Sequence, residues 1–177
     1  MNKTNNKRKK ESQQKIEEIF IDLIQMKQIN EITVTDLCKK AKLNRSTFYA
    51  NYIDIYDLAN KIREKLELEV KEFFKEEMEK QYNSNNFLKL FYHIKSNQKL
   101  YKTYFKLDMD KSNSINEYDY NLYKYFYNDK YIDYHTNFFK AGLNAILKMW
   151  LDNGCKESPE EINKIIISEY KEKNINI

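Results

Sequence analysis

The chain has 177 residues with only 2 glycines and 1 proline, too few turn-forming residues for a many-stranded fold, so long helices are expected. Cys38 and Cys155 stand 117 positions apart with no CxxC spacing, so nothing suggests a disulfide framework or zinc site, and the polar start and lack of a long apolar run point to a cytoplasmic protein with no membrane partner. The net charge of +4 is uneven: residues 1–52 hold eleven Lys/Arg against six Asp/Glu, so the rest carries −1, a distribution that suits a polyanion partner as well as it suits a solvated lysine-rich surface.

Residues 1–10, MNKTNNKRKK, lack periodicity and are expected to form a flexible basic arm. From Ser12, the apolar residues Ile16, Ile19, Phe20, Leu23 and Met26 recur at helical spacing, which predicts a first helix to about Gln28. Thr33 with Asp36 three residues on is a capping box for a second helix over about 34–41, with Leu37 and Ala41 inward. Lys42-Leu43-Asn44 is a short connection, and Asn44 is placed to cap a third helix from Arg45 to about Tyr52. Asp54 caps a fourth, in which Leu58, Ile62, Leu66, Phe73 and Met78 mark an inward stripe reaching about Tyr82.

Farther on, Ser84 opens a helix carrying Phe87, Leu90, Phe91 and Ile94, and Ser96 opens a shorter one with Leu100, Tyr104 and Phe105. Residues 107–114 read as a loop, after which Ser114 and Glu117 form a capping box ahead of the tyrosine-rich run 118–127. A long apolar helix is expected over about 131–152, stopped by Asn153-Gly154. Ser158-Pro159-Glu160-Glu161 combines cap, first-turn proline and capping acid at the start of the last helix. The expectation is an all-α chain of about nine helices: a basic arm (1–10), a headpiece (11–55) and a helical body (56–177).

Two short helices joined by a three-residue turn form a helix-turn-helix, whose second helix lies in the DNA major groove. Many helical hairpins share that outline, but the stretch ITVTDLCKKAKLNRSTFYANYIDIYDL (32–58) carries more detail. It resembles the DNA-binding signature of TetR-family transcriptional regulators in its Thr-Val-x-Asp-Leu start, in Ala41 at the turn, in the helix Asn44–Tyr49, and in Tyr52 ahead of Asp54 and Leu58. The likeness runs from about residue 10 to 62. Residues 138–162, FFKAGLNAILKMWLDNG followed by SPEEI, more loosely resemble the end of a subgroup that includes dihydroxyacetone-kinase regulators. Two positions depart from the pattern: Lys42 stands where a turn glycine is usual, and Ile55 where a phosphate-facing lysine often sits.

The resemblance implies a TetR-like fold and a homodimer that binds double-stranded operator DNA, acting as a repressor relieved by a small-molecule effector. The alternative it also implies is a co-activator that binds a partner protein; a helical enzyme or ligand carrier is the reading from another class. On the DNA-binding reading, Asn44, Arg45, Ser46 and Thr47 open the recognition helix, with the amide end facing phosphate and Arg45 placed for bidentate guanine contact. Tyr49 and Asn51 are placed for phosphates, as are Thr33 and Thr35, while Lys9 and Lys10, with Lys7 and Arg8, add contacts from the arm. Plainer readings stand beside these: Tyr49 and Tyr52 as core aromatics, Thr33 as a cap only, the arm as a solubilising segment.

Phe138, Ala141, Ala145 and Met149, with Ile162 and Ile166 on the last helix, are expected to form a dimer interface as a four-helix bundle. Phe91, Tyr101, Tyr104 and Tyr123 either line an effector pocket or serve as core. His93 and His135 have no Cys or carboxylate at ligand spacing, and there is no glycine-rich phosphate loop, so no catalytic residue, metal or cofactor is expected.

Overall fold

The computed structural model describes residues 3–80, 87–107 and 131–171. Among them every regular element is helical. The helices are α1 (Lys3–Met26), α2 (Val34–Ala41), α3 (Arg45–Tyr49), α4 (Ile55–Phe73), α5 (Lys75–Lys80), α6 (Leu88–Ser96), α7 (Gln98–Lys106), α8 (Ile132–Asp152) and α9 (Pro159–Lys171), with a short 3₁₀ turn at Ile29–Glu31. The chain divides into two compact units, Met1–Leu66 and Glu67–Ile177.

In the first unit α1 packs on α2, and α2 on α3. Its core comprises Ile16, Phe20, Leu23 and Ile24 from α1, Leu37, Cys38 and Ala41 from α2, Phe48 from α3, and Leu58, Ala59, Ile62 and Leu66 from α4. Each large apolar side chain buried here contributes up to about 1.5–3 kcal/mol. The expected flexible arm is corrected over its described part, because α1 begins at Lys3. Residues 7–10 are Lys and Arg, good helix formers, with no Gly or Pro to interrupt the first turns, so the helix extends without an apolar stripe. Ser12 is accordingly not a cap: its hydroxyl donates to the Arg8 carbonyl at 2.9 Å, one turn back inside the same helix.

The expected caps form in part. Thr33 Oγ1 accepts from the Asp36 N–H at 3.1 Å. At the other end of α2, Lys42 adopts φ 54°, ψ 45°. There the Leu43 N–H reaches the Cys38 carbonyl at 3.0 Å and the Lys42 N–H reaches that of Lys39 at 3.3 Å, the paired bonds of a Schellman closure whose left-handed slot favours glycine. Lys42 therefore carries the strain that its sequence position raises. Asn44 precedes α3 in extended conformation but its side chain makes no capping bond, so only its carbonyl opens the helix. Asp54 Oδ1 accepts from the Asp57 N–H at 2.7 Å, and Asp57 Oδ2 accepts from the Ile53 N–H at 2.9 Å, which closes both ends of the turn into α4.

Two expected helices are shorter in the structure. The third ends at Tyr49 rather than Tyr52, because the Asn51 side chain donates from Nδ2 to the Thr47 carbonyl at 2.7 Å and competes with the helical ladder there. The fourth ends at Phe73, where the Phe74 N–H turns back to Lys71, and α5 follows as a separate segment. The buried stripe of α4 includes Val70, while Phe73 is only half-buried; the Met78 side chain lies outside the described residues.

In the second unit α6 packs on α7 and α9, and α7 on α8. Ile132, Thr136, Phe139, Leu143, Leu147, Trp150 and Leu151 repeat at three- and four-residue steps along α8 and are all buried. The Trp150 ring meets Phe91 edge-on with centroids 6.1 Å apart, and its Nε1–H donates to the Glu157 carbonyl at 3.2 Å. Gly154, at φ 73°, closes α8 as a second Schellman turn, with the Cys155 N–H on the Trp150 carbonyl at 2.8 Å and the Gly154 N–H on that of Leu151 at 3.0 Å. Ser158 and Glu161 exchange capping bonds at 2.7 and 3.2 Å ahead of α9. The expected start of a helix at Ser96 is corrected: Ser96 ends α6, and Asn97 stands ahead of α7. Ser84, the capping box of Ser114 and Glu117, the run 118–127 and Tyr123 lie outside the described residues.

Candidate nucleic-acid interface

The outer face of α3 follows from its anchor. Phe48 is fully buried, which turns Arg45, Ser46, Tyr49 and Ala50 outward and leaves Thr47 and Asn51 half-buried beside them. Tyr49 is 57% exposed, its ring set edge-on against Phe48 at 5.5 Å. Tyr52, by contrast, is core: its hydroxyl donates to Glu17 Oε1 at 3.2 Å. Burial, reinforced by the Glu17 charge, pushes the Tyr52 phenol well above its ordinary value, so it stays neutral. Lys61 lies over the Tyr52 ring at 5.2 Å and bonds the Asn51 carbonyl at 3.0 Å, tying α4 to the turn that follows α3.

Thr33 and Thr35 are exposed at the start of α2. Thr33 accepts as a cap, and its hydroxyl hydrogen stays available to donate outward. Lys39, Lys40 and Lys42 are exposed at the other end of α2, and Asn44 is exposed in the turn. Ile55, at the position expected to lack a phosphate contact, is buried. Cys38 sits beneath this surface with its thiol near the Asn44 carbonyl at 3.9 Å. Burial pushes that thiol up, and the Arg45 charge opposes the shift.

An open groove of about 410 Å³ runs between α1 and the outer face of α3, lined by Arg8, Lys9, Ser12, Ser46, Thr47, Ala50 and Asn51. Lys9 and Lys10 are exposed on α1, so the basic residues of α1 and the outward residues of α3 share one boundary. Among the described residues Arg8, Lys9 and Arg45 have no ion-pair partner, which leaves their charge available to a polyanion. Arg8 was expected from the arm, whereas Ser12 and Ala50 join the site through packing. Ser12 lies one helical turn from Arg8, a spacing visible in sequence once α1 is known to begin before it. At five residues α3 is too short for a large dipole, so side chains rather than its amide end dominate the surface.

In the second unit, α8 presents Tyr134, Phe138, Ala141, Ala145 and Met149 outward at four-, three-, four- and four-residue steps; Phe138 is 69% exposed and Met149 60%. Ile162 and Ile166 are instead buried within the chain, where α9 meets α6, and Ile165 is the exposed apolar residue of that helix. Phe91, Tyr101 and Tyr104 are also core. The Tyr101 hydroxyl lies 2.8 Å from His93 Nδ1, and the Tyr104 hydroxyl donates to Glu67 Oε1 at 3.3 Å. Among the described residues there is no cluster that could hold a metal ion, and no helix long and apolar enough to cross a membrane.

A family model described as a transcriptional regulator C-terminal region matches residues 72–168, more than half of the chain. Among solved structures the chain is similar to the dihydroxyacetone kinase operon activator DhaS, with a TM-score of 0.52 and 21% identity, over 89% of this chain and 92% of that one. At that identity the likeness speaks for the fold. No curated protein matches the chain.

Proposed function

The chain belongs to the TetR family of transcriptional regulators, and we propose that it acts in the cytoplasm as a homodimer that binds a palindromic DNA operator and represses transcription from it. The observation that carries this is the meeting of α1 and α3, where Arg8 and Lys9, without an ion-pair partner among the described residues, border the outward residues of a helix-turn-helix. In this reading Arg45 reads a base edge, with Asn44, Ser46 and Thr47 beside it. Tyr49, Thr33 and Thr35 hold phosphates, and Lys9 and Lys10 neutralise the flanking backbone. The outward stripe of α8, from Phe138 through Ala141 and Ala145 to Met149, supplies the dimer contact; Ile165, rather than Ile162 or Ile166, continues it on α9.

Repression follows if the bound dimer occludes polymerase. The similarity to a protein titled an operon activator favours a second reading, activation, in which the body binds a protein partner. Phe91, Tyr101 and Tyr104 are packed as core, so they do not argue for a small-molecule effector. Transcription in vitro from a promoter overlapping the bound site separates the two: less transcript supports repression, more supports activation, and unchanged output refutes both.

A further inference from the structure

Resting on the DNA-binding reading above, we infer that Asn51 is a positioning residue whose side-chain oxygen holds the Arg8 guanidinium beside α3, so that Arg8 turns its remaining N–H groups to a DNA phosphate. The Asn51 amide is locked in orientation, because Nδ2 donates to the Thr47 carbonyl at 2.7 Å. That leaves Oδ1 as an acceptor, and Oδ1 is buried without a hydrogen-bond partner among the described residues. A buried acceptor in this state is destabilising until a donor reaches it. A phosphate cannot satisfy it, since phosphate oxygens are acceptors as well; a protein N–H can.

The donors that border the same groove are few. Arg8, Lys9, Ser12, Ser46 and Thr47 line it with Asn51, and the Ser12 hydroxyl is already engaged with the Arg8 carbonyl. Arg8 fits the requirement best. Its guanidinium has a rigid fork of five donors, so one N–H can meet Asn51 while others meet a phosphate, whereas a lysine ammonium acts as a point charge. Because α1 continues to Lys3, Arg8 stands on a helix and not on a loose arm. Less conformational freedom is then lost when DNA arrives.

The test uses the full chain and a mixed-sequence DNA duplex, because a phosphate contact does not depend on base sequence. The slope of log affinity against log salt is measured for wild type, Arg8→Ala, Asn51→Ala and the double variant. Each single substitution is expected to reduce the slope by about 1, and the double variant to reduce it no further. Asn51→Asp keeps an acceptor in place, so adding Arg8→Ala in that background is expected to lower the slope again. An Asn51→Ala slope equal to wild type, a double variant showing the sum of both losses, or an Asn51→Asp background indifferent to Arg8→Ala overturns the inference. If Oδ1 receives a base amino group instead, Asn51→Ala leaves the slope unchanged, the first of those results. A wild-type chain that binds no duplex at all removes the DNA-binding reading itself, and this inference with it.

Discussion

Replacing Lys42 by glycine is expected to stabilise the headpiece, and the structure sets the size of the effect. Lys42 closes α2 at φ 54°, ψ 45°, a left-handed conformation that costs a residue with a Cβ about 1–2 kcal/mol. Glycine relieves that strain but loses about 0.5–1 kcal/mol to its larger unfolded-state freedom. The net gain lies between about 0 and 1.5 kcal/mol and centres near 0.75 kcal/mol, a rise of about 1.5–3 °C in melting temperature for a chain of this size. Neither capping bond is disturbed, since the N–H groups of residues 42 and 43 remain. Lys42→Ala is the control: it also loses the charge but keeps the Cβ and the strain. Thermal unfolding followed by circular dichroism is expected to rank Lys42→Gly above both wild type and Lys42→Ala. A glycine variant that melts at or below the alanine variant would refute the strain argument.

Arg45→Ala is expected to lose about 1–3 kcal/mol on the selected site and to relax preference at one base position per half-site; equal losses on selected and scrambled DNA would reduce Arg45 to a phosphate contact. Ala145→Glu places a charge in the exposed stripe of α8 and is expected to give a monomer by sedimentation that no longer binds operator, with unchanged helicity. A dimer that binds normally would show the interface lies elsewhere. Asp57 and Glu161 are both held below the ordinary carboxylate value, Asp57 chiefly by the Ile53 N–H and then Lys61, Glu161 by the Ser158 N–H and then its hydroxyl. Depressed folded-state values stabilise the fold above the unfolded value of about 4 and lose that contribution as pH falls through the folded value. Asp57→Asn and Glu161→Gln should therefore melt below wild type at neutral pH, with the gap closing on acidification; a gap independent of pH contradicts the assignment.

What could be read from sequence divides along physical lines. The caps at Thr33, Asp54 and Ser158 and the stop at Gly154 were legible because each depends on residues three or four positions apart. The start of α1 was not, since periodicity detects a buried face and residues 6–10 are all exposed. Nor was the break at Phe74, where neither glycine nor proline marks the interruption. Periodicity placed Ile162 and Ile166 on an apolar strip, which was assigned to the dimer interface, but could not say that the chain's own α6 meets that helix. The same limit applied to Tyr101 and Tyr104, whose hydroxyl partners His93 and Glu67 lie on other helices. In the candidate interface, Arg45 through Tyr49 followed from the pattern, whereas the Asn51 oxygen, unpartnered among the described residues, depends on how the folded chain buries it.

Selection of bound sequences from random duplex DNA by the full chain tests the central claim most directly, because it reads DNA preference and protein symmetry together. An inverted repeat is expected, with half-site centres about 34–36 Å or one DNA turn apart, as two recognition helices related by a two-fold axis require. Recovery of no enriched sequence would contradict the account, and recovery of a single unrepeated site would contradict its dimer.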